Sequence, residues 1–188
     1  MLDNVFVGLE RPVLYMITTG AEPTVDLPRF VATELVQNWD VCVIATPEAA
    51  RFFDTAQVAE MTGHPVRTQF KDPDQPDVLP PADVLLLAPA TFNTINKLAA
   101  GISDTLALAL LNEGVGQRLP VVAAPWVNEA LGRHPAFVAN IARLRDWGIA
   151  VIESTALGTT GSSTGFPWDK VSAELARHYD KLTSGRPA

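Results

Sequence analysis

A single cysteine, Cys42, occurs in the 188 residues. That excludes an intramolecular disulfide and any metal site built from clustered cysteines. No run of residues is long and apolar enough to span a bilayer, and the start MLDNVFVGLERP has no basic end ahead of an apolar core. No membrane partner is therefore expected, and the cytoplasm is the default location. Basic residues are few, 14 against 21 acidic ones, for a net charge of −7. Nucleic acid is thereby excluded as a partner, because phosphate binding needs a basic face. The chain also has no Gly-x-Gly-x-x-Gly, so the dinucleotide fingerprint of NAD enzymes is missing. Repeats and low-complexity runs are absent, and no metal ligand set is recognised.

What is present is a hydrophobic content of 47%, enough for one sizeable core across residues 1–188. Short apolar runs alternate with helical patterns. Val13 to Thr18 reads as the first strand, and Thr19, Gly20 and Ala21 turn the chain. Leu27, Phe30, Val31 and Leu35 mark a helix face with Asp26 or Thr24 as cap. Val41 to Ala45 is the second strand, after which Thr46 and Pro47 open a helical stretch. A short helix over 54–62 closes at Gly63, and Val66 to Phe70 reads as a third strand. Prolines over 71–83 then forbid regular structure. Strands at 83–88, 119–124 and 149–152 follow, with helices between them and a last helix over Val171, Leu175 and Leu182. This alternation predicts an α/β fold, a doubly wound parallel sheet of about six strands with helices on both faces.

The chain is organised around DVLLLAPATFNTINKLAAGISDTL, residues 83–106. Asp83 to Ala88 is a strand buried on both faces, ended by Pro89. Ile95, Leu98, Ala99 and Ile102 recur at helical spacing. Between them lie Ala90, Thr91, Phe92, Asn93 and Thr94, a loop at the carboxyl end of a strand, where open α/β sheets bind ligands. The adjoining helix start offers unpaired N–H groups. Leu106 to Leu111 is apolar all round, which suggests a subunit contact.

Pro89-Ala90-Thr91-Phe92-Asn93-Thr94 and Leu98-Ala99-Ala100-Gly101-Ile102-Ser103-Asp104-Thr105-Leu106 resemble two linked signatures, Pro-Ala-Ser-Ala-Asn-Thr and Ile-Ala-Asn-Gly-Ile-x-Asp-x-Leu. These belong to the flavin-containing cysteine decarboxylase family, which includes phosphopantothenoylcysteine and lantibiotic peptidyl-cysteine decarboxylases. The resemblance implies a Rossmann-like, flavodoxin-like domain that binds FMN and assembles from trimers. It places Thr18, Thr19, Gly20 and Thr46 towards the phosphate. Pro89, Ala90, Thr91, Asn93, Thr94, Ser103 and Asp104 belong to the flavin-side signature. The substrate would be a small molecule or peptide with a cysteine-like thiol, oxidised so that its carboxylate can leave.

Pro125-Trp126-Val127-Asn128 resembles the family's second signature, Pro-x-Met-Asn-x-x-Met-Trp, with Val127, Leu131 and Gly132 in place of its Met, Met and Trp. Asn128 is a candidate for the substrate carboxylate, against the plainer reading of a loop asparagine that satisfies backbone groups. The family's catalytic histidine falls near Gln75, and glutamine does not titrate. His134 is the substitute to test, although an exposed structural role is the commoner fate of such a residue. Leucine replaces the loop cysteine of the phosphopantothenoylcysteine branch within residues 155–158. The family's serines near the phosphate fall on Ala21 or Glu22 and on Glu48, and a carboxylate there is repulsive. Trp126 and Trp168 read first as packing residues. Two competing readings are a non-catalytic FMN-binding module and a cofactor-free scaffold or regulatory subunit.

Overall fold

The computed structural model describes residues 11–76, 78–152 and 165–184. Most of the Gly/Ser/Thr-rich stretch 153–168, with the leucine that replaces the branch-specific cysteine, lies outside them. Five strands form one parallel sheet: β1 (Val13–Thr18), β2 (Asp40–Ala45), β3 (Val84–Ala90), β4 (Val121–Pro125) and β5 (Ala150–Val151). Their spatial order is β2-β1-β3-β4-β5. β1 pairs with β2 in the register Val13 to Asp40, and with β3 in the register Leu14 to Val84. This is the flavodoxin-like winding, whose order reverses between β1 and β3.

β1 and β3 are buried along their whole length because helices cover both faces. On one face, Tyr15, Ile17, Leu85, Leu87 and Ala123 meet α3 (Phe92–Ala99), α4 (Leu106–Gln117) and α6 (Pro135–Asp146). On the other, Leu14, Met16, Val43, Leu86 and Val122 meet α1 (Leu27–Val36), α2 (Thr55–Thr62) and α7 (Trp168–Thr183). Each fully buried leucine contributes roughly 1.5–3 kcal/mol relative to exposure. Gly114 lets α4 lie against the sheet, since a Cβ there would come within 2.1 Å of Leu85 Cδ1. A short helix α5 (Glu129–Gly132) follows β4.

Four expectations change. The segment read as a third strand makes only a single bridge, Ile44 to Arg67, so the sheet has five strands rather than about six. Pro89 does not end its strand: β3 continues to Ala90. The register shifts between Leu87 and Ala90 where it pairs with β4, and such an irregularity accommodates a residue without an N–H. Residues 47–53 form only a turn of 3-10 helix at Ala49–Arg51. Asp26 precedes α1, but its side chain makes no cap hydrogen bond, and buried Thr24 donates instead to the Thr19 carbonyl at 2.8 Å.

Candidate functional site

The carboxyl ends of β1, β3 and β4 open into a crevice of about 370 Å³. That is within the usual size range for small-ligand sites. Its lining comes from the three loops that leave those strands: Gly20 and Glu22 after β1, Thr91, Phe92 and Asn93 after β3, and Trp126, Asn128 and Leu131 after β4.

The loops are locked by their own polar groups. The Thr19 hydroxyl donates to the Pro89 carbonyl at 2.7 Å and accepts the Thr91 N–H at 3.0 Å. Thr91 caps α3, accepting the Thr94 N–H at 3.4 Å, with the two hydroxyls 3.0 Å apart. Asn128 caps α5 by accepting the Leu131 N–H through Oδ1 at 2.9 Å. Its Nδ2 group has no hydrogen-bond partner among the described residues. The Trp126 N–H donates to the Ala90 carbonyl at 2.9 Å, so β4 leaves the sheet against the β3 loop.

Of the residues singled out in the sequence, Gly20, Thr91, Asn93 and Asn128 come together on the crevice surface. Thr18, Thr19, Pro89, Ala90 and Thr94 lie beneath it, buried, where they shape the floor. Thr46 stands at the neighbouring β2 exit. Its N–H donates to the Thr18 carbonyl at 3.0 Å and its hydroxyl accepts the Ala49 N–H at 3.2 Å. Ser103 and Asp104 do not line the crevice. The eight residues of α3 carry the chain roughly 12 Å along its axis before they occur. There, Asp104 pairs with Lys97 at 2.5 Å and Ser103 accepts from Asn112 at 2.9 Å.

His134 caps α6 through Nδ1, which accepts the Ala136 N–H at 3.1 Å, and its ring meets Phe92 edge-on at 5.5 Å. His64, which follows Gly63 at the end of α2, is half-buried. Its Nε2 lies 2.7 Å from Asp40 Oδ1, at the amino end of β2 and thus at the opposite end of the sheet. Gln75 is exposed, bonded through Nε2 to Asp72 Oδ2 at 3.2 Å, and lines no part of the crevice.

The two glutamates near these strand exits are also placed. Glu48 turns outward and pairs with Arg51 at 2.9 Å, both side chains about three-quarters exposed. A Cβ on Gly20 would meet Glu48 Cβ at 2.9 Å, so only glycine lets the β1 and β2 exits approach this closely. Glu22 remains on the crevice lining. Ala21, Phe92, Trp126, Val127 and Leu131 complete the walls. Phe92 lies within the first signature stretch and Val127 and Leu131 within the second, whereas Ala21 and Trp126 were marked only by following a buried strand at the carboxyl end of the sheet. Among the described residues there is no group of three or more potential metal ligands, and no helix is long and apolar enough to cross a membrane.

Comparison with known proteins agrees with this geometry. The model of the family described as Flavoprotein matches residues 8–178. The chain belongs to the flavoprotein family. Within it, the chain is 38% identical over 129 residues to the coenzyme A biosynthesis bifunctional protein CoaBC of Mycobacterium tuberculosis. That match covers 66% of this chain but 30% of the relative. Mouse phosphopantothenoylcysteine decarboxylase is 29% identical over 148 residues, covering 71% of this chain and 69% of the relative. Among solved structures, the FMN-dependent cysteine decarboxylase SpaF superposes with a TM-score of 0.71 at 25% identity, covering 91% of this chain and 99% of that one. This member of the flavoprotein family is thus related to the cysteine and phosphopantothenoylcysteine decarboxylases, and a flavin is the cofactor the family supports.

Proposed function

We propose that the chain binds FMN in the crevice at the β1/β3 switch point and takes a small molecule or peptide with a cysteine-like thiol beside it. The observation that carries this reading is the crevice itself, built from three strand exits and lined by Gly20, Thr91, Asn93 and Asn128. Apart from Glu22, whose carboxylate stays on the lining, the residues fit the group. Gly20 borders the crevice without a side chain, Thr46 supplies a hydroxyl at the adjoining β2 exit, and Glu48 is turned away to Arg51. Thr91 and Asn93 offer polar groups for the edge of a flat ring.

Bound FMN supplies a two-electron acceptor for thiol oxidation, after which the adjacent carboxylate can depart as carbon dioxide. Asn128 is oriented for that carboxylate: its Oδ1 is committed to the α5 cap, which leaves Nδ2 as the donor. A base is harder to find. Of the three histidines, His64 is at the far end of the sheet and His178 is half-buried on α7, ten residues and roughly 15 Å beyond its start. His134 is near Phe92, but its Nδ1 lone pair accepts a backbone N–H. The neutral ring therefore carries its proton on Nε2 and offers a donor, not a base.

Decarboxylation of peptidyl or phosphopantothenoyl cysteine is accordingly expected to be absent, or slowed by roughly 10²- to 10⁴-fold. This favours, as a second reading, a protein that holds FMN without turning these substrates over. The purified protein's visible absorption spectrum, before and after adding FMN, is the first test: a protein-bound flavin spectrum supports the proposal, and none even with excess FMN leaves the cofactor-free scaffold. Robust carbon dioxide release from either substrate would overturn the expected lack of a base. The proposal places the protein in the cytoplasm as a homo-oligomer built from trimers. Partly covered Leu106, Ala109 and Leu110 on α4, beside exposed Phe70, support the contact.

A further inference from the structure

Trp126 occupies an unusual position for so large a side chain. It follows directly on β4, is 5% exposed, and lines the crevice. Its backbone is fixed by the bond to the Ala90 carbonyl. Behind it runs a file of rings: Trp126 meets Phe166 edge-on at 5.6 Å, Phe166 meets Trp168 at 4.6 Å, and Trp168 lies on Phe30 at 4.4 Å. Such contacts hold an aromatic side chain in one orientation at little further entropic cost. The Trp126 indole N–H has no hydrogen-bond partner among the described residues. The buried indole nitrogens of Trp39 and Trp168 also lack partners, but neither residue borders the crevice.

We propose that Trp126 is a ligand-binding side chain, a rigid aromatic wall for the planar ring of the molecule held in the crevice, with its N–H available to an acceptor there. This rests on the reading of the crevice as an FMN site. A tryptophan needed only for packing would gain nothing by bordering an open, polar-edged crevice. One anchored from behind by three further rings is suited to receive a flat ligand without rearranging.

The test is a titration of the full chain with FMN, following both affinity and the emission of the bound flavin. An indole in contact with a flavin quenches its emission by donating an electron to the excited ring, and phenylalanine or leucine does not. Wild type should bind FMN with strongly quenched emission. Trp147→Phe, at an exposed position beyond α6, should behave as wild type. Trp126→Leu should bind about tenfold more weakly, the upper end of what an aromatic contact contributes, and its bound flavin should emit more brightly. Trp126→Phe keeps a ring in place and serves if the leucine variant does not fold; its bound flavin should also brighten. Variants with unchanged affinity and unchanged bound-state emission overturn the role of Trp126 and leave the FMN site standing. A wild type that binds no FMN overturns both.

Discussion

The Thr19 hydroxyl and the Pro89 carbonyl, 70 residues apart in the chain, are joined by a hydrogen bond of 2.7 Å. The same hydroxyl accepts the Thr91 N–H, so one buried oxygen ties the exits of β1 and β3 together under the crevice. Thr19→Val keeps the shape and leaves a buried carbonyl and a buried N–H without partners. It should lower stability by roughly 1–3 kcal/mol in denaturant unfolding and weaken flavin binding, while Thr19→Ser keeps most of both.

Gly20 and Glu48 make a second close approach. Gly20→Ala puts a Cβ 2.9 Å from Glu48 Cβ, and the β1 and β2 exits must separate to relieve it. FMN affinity should fall by about tenfold in equilibrium titration. Glu48→Gly removes the opposing atom, so the double variant should recover much of the loss. Additive effects of the two changes would show that the loops do not meet.

Glu34 titrates against the fold. It is fully buried, its Oε1 accepts the Ser172 hydroxyl at 2.6 Å, and its Oε2 has no partner. Burial raises its pKa above the ordinary carboxyl range, and the serine bond only partly opposes this. The folded state therefore holds a proton that the unfolded state releases near pH ~4.3. The stability this provides is complete below that value and is lost as pH rises through the raised folded pKa. Glu34→Gln should flatten this decline and increase stability at neutral pH, as read from denaturant midpoints across pH. A wild-type curve no steeper than the variant's would refute it.

Leu108 and Leu111 are 3% and 0% exposed within the chain's own core, so charged residues there should simply unfold the domain. The partly exposed leucines of the same helix are Leu106 and Leu110, which line an open groove with Phe70, itself 57% exposed. Light scattering of the wild type should give a multiple of 20.2 kDa. The double variant Leu106→Glu, Leu110→Glu should give folded monomers. A folded wild-type monomer at low micromolar concentration refutes the assembly.

The sequence was legible where burial dictates pattern. β1 and β3 are apolar runs because both faces are covered, and the helices after them repeat at helical spacing, so the parallel α/β fold could be read directly. The segment Val66–Phe70 shows the limit. Its composition suits a strand, but a strand exists only where a neighbour offers a full ladder, and here β2 offers one bridge. Pro89 is the converse case: it lacks an N–H, yet the strand passes through it at a register shift.

For the site, the sequence by itself determined which loops form it, since Thr91, Asn93 and Asn128 follow buried strands that must end at one edge of a parallel sheet. Tertiary structure decided what each residue does there. Thr19 went into the floor because two loops 70 residues apart competed for its hydroxyl. His134 became a cap because the α6 start presented an N–H to its ring. Glu48 turned to Arg51, and Trp126 turned to the crevice with Phe166 behind it. These outcomes depend on partners distant in sequence or on local backbone geometry, and neither is encoded in the identity of the residue itself.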